Sequence, residues 1–306
     1  GLIDFRLDQQ DIPAKLVQLE TSRRQAPLSR NDTLNQNIEA RLPILLDRLE
    51  LNDEIGFHSY KPATLRRRVL RRMLMRHVSS VDGYIELLRN SADERQELAR
   101  DFLIGVTQFF RNADMFEIIS GSILPELLQS DQDEFRIWCS GCSSGEEVYS
   151  LAILISELQD KTGDQRSWKL FGTDINPDAL ATARRGVYDS NALMAVSTDQ
   201  IERYFENDHG ILTVSSRLRS MCVFARHNVL SDPPFSKVDL ISCRNLMIYV
   251  DQAAQEDIIS RFHYSLNPHG FLWLGPSENL STDSQQFQIL DRHARIFKRN
   301  NAIASL

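Results

Sequence analysis

Hydrophobic and polar positions change their period once along this chain. From about Leu34 to Gln129 apolar residues recur at three- and four-residue spacing, which predicts helices over 34–50, 62–78, 81–90, 93–105 and 112–129. Beyond that point short apolar runs alternate with helical stretches. Strands are predicted over 135–140, 168–173, 221–226, 238–243 and 270–275, helices over 146–160, 177–185 and 251–266, and short strands near 287–290 and 295–299. Such alternation predicts an α/β fold with a mostly parallel, doubly wound sheet. The stretch 186–220 interrupts the pattern with a helical piece, Thr198 to Phe205, and a small hairpin in which Ile211-Leu-Thr-Val follows the polar turn Asn207-Asp-His-Gly210. Residues 1 to about 30, broken by Pro13 and Pro27, read as a lead-in.

The first strand reaches its helix through a glycine-broken turn, Phe135-Arg-Ile-Trp-Cys-Ser-Gly141-Cys-Ser-Ser-Gly145-Glu146-Glu147-Val. Glycine permits a tight turn and close approach of a ligand to the peptide plane, and the helix start offers unpaired N–H groups, so the segment reads as a nucleotide-cofactor cradle. The acids at that start, Glu146 and Glu147, repel a pyrophosphate but suit a cation. A sulfonium or ammonium group fits better, which favours S-adenosylmethionine over NAD or FAD.

Other strand ends add candidates. The second strand closes on Asp174, where ribose hydroxyls bind in sheets of this kind, and Asn176-Pro177 open the next helix. Asp174 alone does not separate dinucleotide enzymes from methyltransferases. Asn228, after Phe224-Ala-Arg-His, and Asn245, after Val238-Asp-Leu-Ile-Ser-Cys243-Arg, read equally as crevice residues or as turn caps. The pair Phe109-Phe110 reads as core, flanked by Thr107 and Arg111. Asp232-Pro233-Pro234-Phe235 matches the tetrapeptide of adenine-modifying DNA methyltransferases, but it precedes the fourth strand instead of following it and therefore reads as a turn.

With 306 residues, 42% apolar and 25% charged, the chain suffices for one large domain and a small one. No apolar run reaches membrane-spanning length and the first residues carry no signal-peptide pattern, so a cytoplasmic protein without membrane insertion is expected. Cys139, Cys142, Cys222 and Cys243 fall in or near core strands and read as reduced thiols. The Cys139-x-x-Cys142 pair lacks two further ligands at suitable spacing, and no metal is expected. The net charge of −7 conceals a basic segment, since Lys61, Arg66, Arg67, Arg68, Arg71, Arg72 and Arg76 occur with no acid between Glu54 and Asp82. Leu65, Val69, Met73 and Leu74, with His77 on the same side, predict an amphipathic helix with an arginine-rich outer face, either solvated or docking something acidic.

Six motifs occur in order: Thr107-Gln-Phe-Phe-Arg111, Gly141-Cys-Ser-Ser-Gly-Glu-Glu-Val-Tyr-Ser150, Gly172-Thr-Asp174-Ile-Asn, Gly186-Val-Tyr188, Cys243-Arg-Asn-Leu-Met-Ile-Tyr249 and Leu274-Gly-Pro-Ser-Glu278. Together they resemble the CheR-type chemotaxis receptor methyltransferases over roughly residues 34 to 300. The opening Gly1-Leu-Ile-Asp-Phe…Ile12-Pro-Ala-Lys-Leu resembles the tail of a receptor methylesterase domain, as in fused methylesterase/methyltransferase proteins. The resemblance implies a Rossmann-like class I methyltransferase sheet with an N-terminal all-helical domain and a small inserted β subdomain. On that pattern residues 1–30 are a lead-in, 31–112 the helical domain and 113–306 the S-adenosylmethionine-dependent domain, with the insertion at about 186–220.

The resemblance also implies transfer of a methyl group to glutamate side chains on the helical cytoplasmic region of a chemoreceptor, leaving S-adenosylhomocysteine and glutamate methyl esters. By motif it places Thr107, Arg111, Gly141, Glu146, Asp174, Asn228, Val229, Asn245 and Leu246 at the cofactor, with Arg111 and Tyr249 nearest the transferred methyl. Gly105 stands where many members carry Asn. A glutamate carboxylate, with a solution pKa near about 4.3, is already ionised at neutral pH, so no general base is required. Catalysis then reduces to placement, which contributes up to roughly 7–11 kcal/mol in favourable cases. Arg111 is expected to orient the incoming carboxylate and Tyr249 to shape the methyl pocket. The arginine helix gains a partner, because the methylated regions of chemoreceptors are acidic helical bundles. Some members use the hairpin of the insertion to tether a receptor-tail peptide; here Phe205-Glu-Asn-Asp-His-Gly210 is shorter than their loop, and no tether is expected. The rivals are a nucleic-acid methyltransferase, favoured by the basic helix and the Asp-Pro-Pro-Phe turn, and a cofactor-binding signalling module without catalysis. A nicotinamide oxidoreductase comes last because of the paired acids, and no nucleic-acid partner is expected.

Overall fold

A computed structural model describes residues 28–49, 55–103, 105–280 and 285–300, and the chain divides into two compact units between residues 104 and 105. The opening segment that resembles a methylesterase tail, and residues 1–27 of the expected lead-in, lie outside the described residues.

Among the described residues the first unit carries the α-helices α1 (Leu28–Leu46), α2 (Pro62–Met75), α3 (Val81–Asn90) and α4 (Ala92–Phe102). Pro62 opens α2 at a position where the missing N–H costs nothing. Ser80 and Ser91 cap α3 and α4 by accepting from Gly83 N and Glu94 N. Ile38, Leu45, Val69, Tyr84, Leu88 and Leu98 make the core and are fully buried.

A charged cluster lies within that unit. The buried Glu94 carboxylate accepts from Arg72 Nε at 2.9 Å and Nη2 at 2.6 Å, from Tyr84 Oη at 2.8 Å, and pairs with Arg76 Nε at 3.0 Å. The expected arginine-rich outer face is corrected accordingly. Arg68 and Arg72 are buried, Arg66 pairs with Glu39, and Arg71 pairs with Asp101 at 3.3 Å. Arg67 stays exposed, whereas Leu74, expected on the apolar stripe, is 50% exposed. Spacing along one helix reports its own apolar stripe, not the acids that neighbouring helices bring to its arginines.

The second unit begins with α5 (Ala113–Ile118), a π-helical turn (Ile119–Ile123) and α6 (Leu124–Leu127), where one continuous helix was expected. The widened turn runs into Pro125, whose missing N–H removes a regular helical bond. Next come β1 (Glu134–Ser140), α7 (Glu146–Thr162), β2 (Ser167–Asp174) and α8 (Pro177–Arg185). The insertion carries β3 (Val187–Asp189), α9 (Thr198–Tyr204), β4 (Phe205–Asp208), β5 (Ile211–Val214) and α10 (Ser216–Met221). The chain continues through β6 (Cys222–Arg226), β7 (Val238–Cys243), α11 (Gln252–Ser265), β8 (Leu266–Leu274), β9 (Phe287–Asp291) and β10 (Ile296–Arg299).

The large sheet runs β6-β2-β1-β7-β8-β10-β9. Its first five strands pair in parallel, and β10 lies antiparallel to both β8 and β9. Every residue of β7 is buried, as expected of a central strand. The hairpin of the insertion is larger than expected: β3 joins it in a separate three-stranded sheet, β3-β5-β4, whose β4–β5 turn passes through His209 and Gly210 at φ 50° and 87°. This is a Rossmann-like arrangement. The chain leaves β1 for β2 and β6 on one side, then crosses to β7 and β8 on the other, so a crevice opens between the ends of β1 and β7.

Removing the charge at the centre of the helical unit tests its cluster. Glu94→Gln strands a buried guanidinium, at a cost of about 3–5 kcal/mol. The urea midpoint followed by circular dichroism should fall clearly, and an unchanged midpoint contradicts the assignment.

Candidate functional site

The loops that follow β1, β2, β6 and β7 form one rim. Gly141, first after β1, sits at φ 72°, and a Cβ there would lie 2.3 Å from Leu246 Cδ1, so a side chain would both strain the turn and push Leu246 aside where the loops after β1 and β7 meet. Ser143, at φ 50°, donates its N–H to Asp174 Oδ2 at 2.8 Å, which ties the β1 loop to the end of β2. His227 N donates to Asp174 O at 3.1 Å and brings the end of β6 alongside. A Cβ on Gly105 would stand 2.9 Å from Ser143 Oγ, so the segment leading to Thr107 passes against the same loop.

Two carboxylates in this rim are desolvated. Glu146, at the first position of α7, is buried, and Ser144 Oγ lies 2.8 Å from both of its oxygens. Burial pushes its carboxyl above the ordinary value, against the hydrogen bonds that favour the ionised form. Asp174 behaves alike: burial raises it, while the N–H groups of Asn176 and Ser143 pull it back. A cation or a pair of hydroxyls supplies what these two carboxylates have lost from water.

Glu147 does something else. The expectation that it faces a ligand beside Glu146 is overturned, because Ser242 Oγ donates to Glu147 Oε1 at 2.6 Å and Arg244 Nη1 donates to Glu147 Oε2 at 2.8 Å. One residue further along α7 means a turn of about 100°, enough to aim neighbouring side chains at different surroundings.

Arg244 is the residue that sequence reasoning left without a role. Its side chain is 1% exposed, its Nη2 donates to Arg111 O at 2.7 Å and Asn112 Oδ1 at 3.1 Å, and its guanidinium lies 4.3 Å from the Trp273 ring centroid and 5.3 Å from that of Phe116. Arg111 stands between Phe110 at φ 49° and Asn112 at φ 64°, conformations that cost about 1–3 kcal/mol each where the side chain is ill suited. The Arg111 side chain folds back and donates to Val106 O at 2.6 Å, closing the loop that contains Thr107. Phe109 and Phe110 are core, as expected; Phe109 packs edge-on against Tyr188 and Phe205 of the inserted unit, and Phe110 against Phe116.

Glu278 was also missed. Buried in the Leu274-Gly-Pro-Ser-Glu segment, it accepts from Gly275 N at 2.7 Å and from Asn245 N and Met247 N at 2.8 Å each. It therefore fixes Asn245, at φ 61°, and Leu246, and it sets the start of the single turn Met247–Tyr249 that presents Tyr249. The signal was a charged residue directly after a strand that reads as central: such a charge is buried only with partners, and Arg244 directly follows β7.

Asn228 and Val229 lie buried after β6, but Asn228 Oδ1 accepts from Leu230 N at 3.0 Å, the geometry of the turn-cap alternative. Asp232 Oδ2 accepts from Asn228 N at 2.8 Å, and Phe235 packs on Trp138, Phe171 and His227, so Asp-Pro-Pro-Phe is a packed turn. Cys139 and Cys142 are free buried thiols that burial pushes well above their ordinary value, unlike a reactive pair. Among the described residues no helix is long and apolar enough to cross a membrane.

Known proteins resemble this chain along most of its length. The family model described as "CheR methyltransferase, SAM binding domain" matches residues 105–296, and "CheR methyltransferase, all-alpha domain" matches residues 44–103. An uncharacterized 104.1 kDa protein of Rhodobacter capsulatus is 37% identical over 83% of this chain, which spans 27% of that protein's length. A putative methyltransferase, Cher3, of Pseudomonas putida is 30% identical over 88% of this chain and 100% of its own. A chemotaxis protein methyltransferase of Salmonella typhimurium is 33% identical over 72% of this chain and 77% of its own.

The raised Glu146 carboxyl has a measurable sign. With the folded value above the unfolded one, ionisation at neutral pH costs the empty fold stability, and protonation as pH falls relieves that cost. Glu146→Gln should therefore stabilise the ligand-free protein at pH 7, and its advantage should shrink as pH falls through the acidic range. Urea unfolding of both proteins at pH 7 and pH 5 reads the difference, and a gap that widens toward acid contradicts it.

Proposed function

The chain belongs to the CheR methyltransferase family, and from that premise we propose that it transfers the methyl group of S-adenosylmethionine to glutamate carboxylates of a chemoreceptor. S-adenosylmethionine is the cofactor of the family's binding domain, which spans residues 105–296 here. The residues present fit it: a crevice at the β1/β7 switch, a bare Gly141 facing Leu246, and two desolvated carboxylates, Glu146 and Asp174, that a cationic methionine end and a ribose would compensate. Bound there, the cofactor supplies an electrophilic methyl on a positive sulfur.

The chain's own residues supply placement. Glu146 is the partner for the α-ammonium, and Asp174 for the ribose hydroxyls. Gly141, Asn228, Val229, Asn245 and Leu246 line the nucleoside, and Thr107 closes over it. Arg111 orients the acceptor carboxylate by paired N–H donation, for which a guanidinium is suited. Tyr249 walls the methyl pocket. The acceptor is ionised at neutral pH, so no residue is asked to remove a proton. The observation that carries the reading is Arg111, a cation rooted in a hydrogen-bonded turn that Arg244 ties to the same rim as Glu146 and Asn245.

The acidic helical receptor reaches the protein through the basic helix around Arg66–Arg76. With Arg66, Arg71 and Arg72 committed to acids of their own unit, the exposed Arg67 is the steering charge.

Incubation with labelled S-adenosylmethionine and receptor cytoplasmic fragments should give a base-labile product that releases methanol, which a nucleic-acid methyltransferase would not give. Arg111→Ala should lower kcat by about 100-fold or more while binding of S-adenosylhomocysteine stays within a few fold, since misplacement of about 1 Å costs that much. Wild-type turnover in that variant refutes the role.

Docking predicts its own signature. Raising salt should slow the receptor-dependent rate, and Arg67→Glu should raise KM more than it lowers kcat. A salt-independent rate removes the docking role.

A further inference from the structure

Arg111 is flanked on both sides by left-handed residues, Phe110 at φ 49° and Asn112 at φ 64°. Asparagine tolerates that region, but an aromatic residue seldom adopts it. The Arg111 contact to Val106 O closes the loop locally, but the aromatic at Phe110 needs further contacts to stay there.

Two side chains supply them. Ser150, fully buried on α7, accepts the Phe110 N–H at 3.0 Å while its own hydroxyl donates to Glu146 O at 2.7 Å. Arg244 donates through Nη2 to Arg111 O at 2.7 Å and to Asn112 Oδ1 at 3.1 Å. Arg244 is itself immobilised, with Nη1 on Glu147 Oε2 at 2.8 Å, Ser242 holding the other Glu147 oxygen at 2.6 Å, and its planar head against Trp273. Both anchors come from the cofactor side. Ser150 lies one helical turn beyond Glu146, and Arg244 immediately precedes Asn245.

We propose that Arg244 and Ser150 are positioning residues, which hold the Phe110–Asn112 turn so that the Arg111 side chain leaves the backbone from one fixed root. The inference rests on the methyl-transfer reading and deepens it, by assigning the geometry of the acceptor-orienting group to two buried residues outside the set assigned to the acceptor and the methyl donor. A lysine at position 244 keeps the cation beside Glu147 but loses the planar fork that serves Glu147 and Arg111 O together.

The test uses the full chain carrying Arg244→Lys, Ser150→Ala, Asn112→Gly or Asn112→Ala. Thermal unfolding and calorimetry with S-adenosylhomocysteine select folded, cofactor-competent protein. Hydrogen exchange at the Phe110 amide reports the turn, and kcat and KM with a receptor cytoplasmic fragment report transfer. Arg244→Lys should speed Phe110 exchange, and Arg244→Lys and Ser150→Ala should each lower kcat by about tenfold or more, with S-adenosylhomocysteine binding within about threefold, because placement acts on the transfer step. Asn112→Gly and Asn112→Ala both lose the amide contact, yet glycine reaches φ 64° freely, so its kcat should exceed that of the alanine variant by about fivefold. A purely structural role would not order those two variants by kcat once both are folded and bind cofactor. Unchanged Phe110 exchange in Arg244→Lys overturns the lock, and faster exchange with unchanged kcat overturns its role. A wild-type protein that methylates no receptor fragment overturns the transfer reading together with the role, and is told apart because there the unmutated protein is the inactive one.

Discussion

The buried pair between Arg244 and Glu147 is the contact on which the rest of the site depends. Taking both charges out of water is costly, and such a pair is tolerated only when nearly every polar atom finds a partner. Here Glu147, which keeps a little exposure, has Ser242 on one oxygen and Arg244 on the other, while Arg244 spends its second terminal nitrogen on Arg111 O and Asn112 Oδ1 and leaves its Nε without a partner. One electrostatic knot thus joins the end of β7, the start of α7 and the turn that carries Arg111.

A second constraint concerns what a ligand must replace. Glu146 and Glu278 are buried, Asp174 is half-buried, and desolvation raises all three carboxyls, yet their surroundings differ. Glu278 is surrounded by backbone N–H groups of Gly275, Asn245 and Met247 and serves the fold. Glu146 has one serine hydroxyl beyond its own helix start, so its charge is the less compensated of the two. That contrast separates a clamp from a docking point among residues of identical chemistry.

The sheet and its helices were legible because burial imposes period two or near-continuous apolarity on strands and period 3.6 on helices. The expected strand at 238–243 is β7 to the residue, and the helix opened by Asn176-Pro177 ends at Arg185 as expected. The motifs around Gly141, Asp174 and Asn245 also converge on one rim, since strand ends are where an open α/β sheet leaves room. What could not be read is direction. Adjacent acids at 146 and 147 look equivalent in a string of letters, and only the arrival of Arg244 from about a hundred positions away turns Glu147 inward. For the same reason the arginines of α2 look outward until Glu39, Glu94 and Asp101 are placed beside them. Long-range partners of charged residues leave no local period.

The placement of β10 governs how this sheet is made. The last strand among the described residues lies between β8 and β9, so β9 has no neighbour in the sheet until β10 has been synthesised and threaded between them. While the chain emerges from the ribosome, the edge of β8 and the exposed Ile289 and Leu290 wait together as sticky, unpaired surface. Closure of the sheet therefore waits on β10, and losing a handful of residues at positions 296–299 would detach two strands for the length of one.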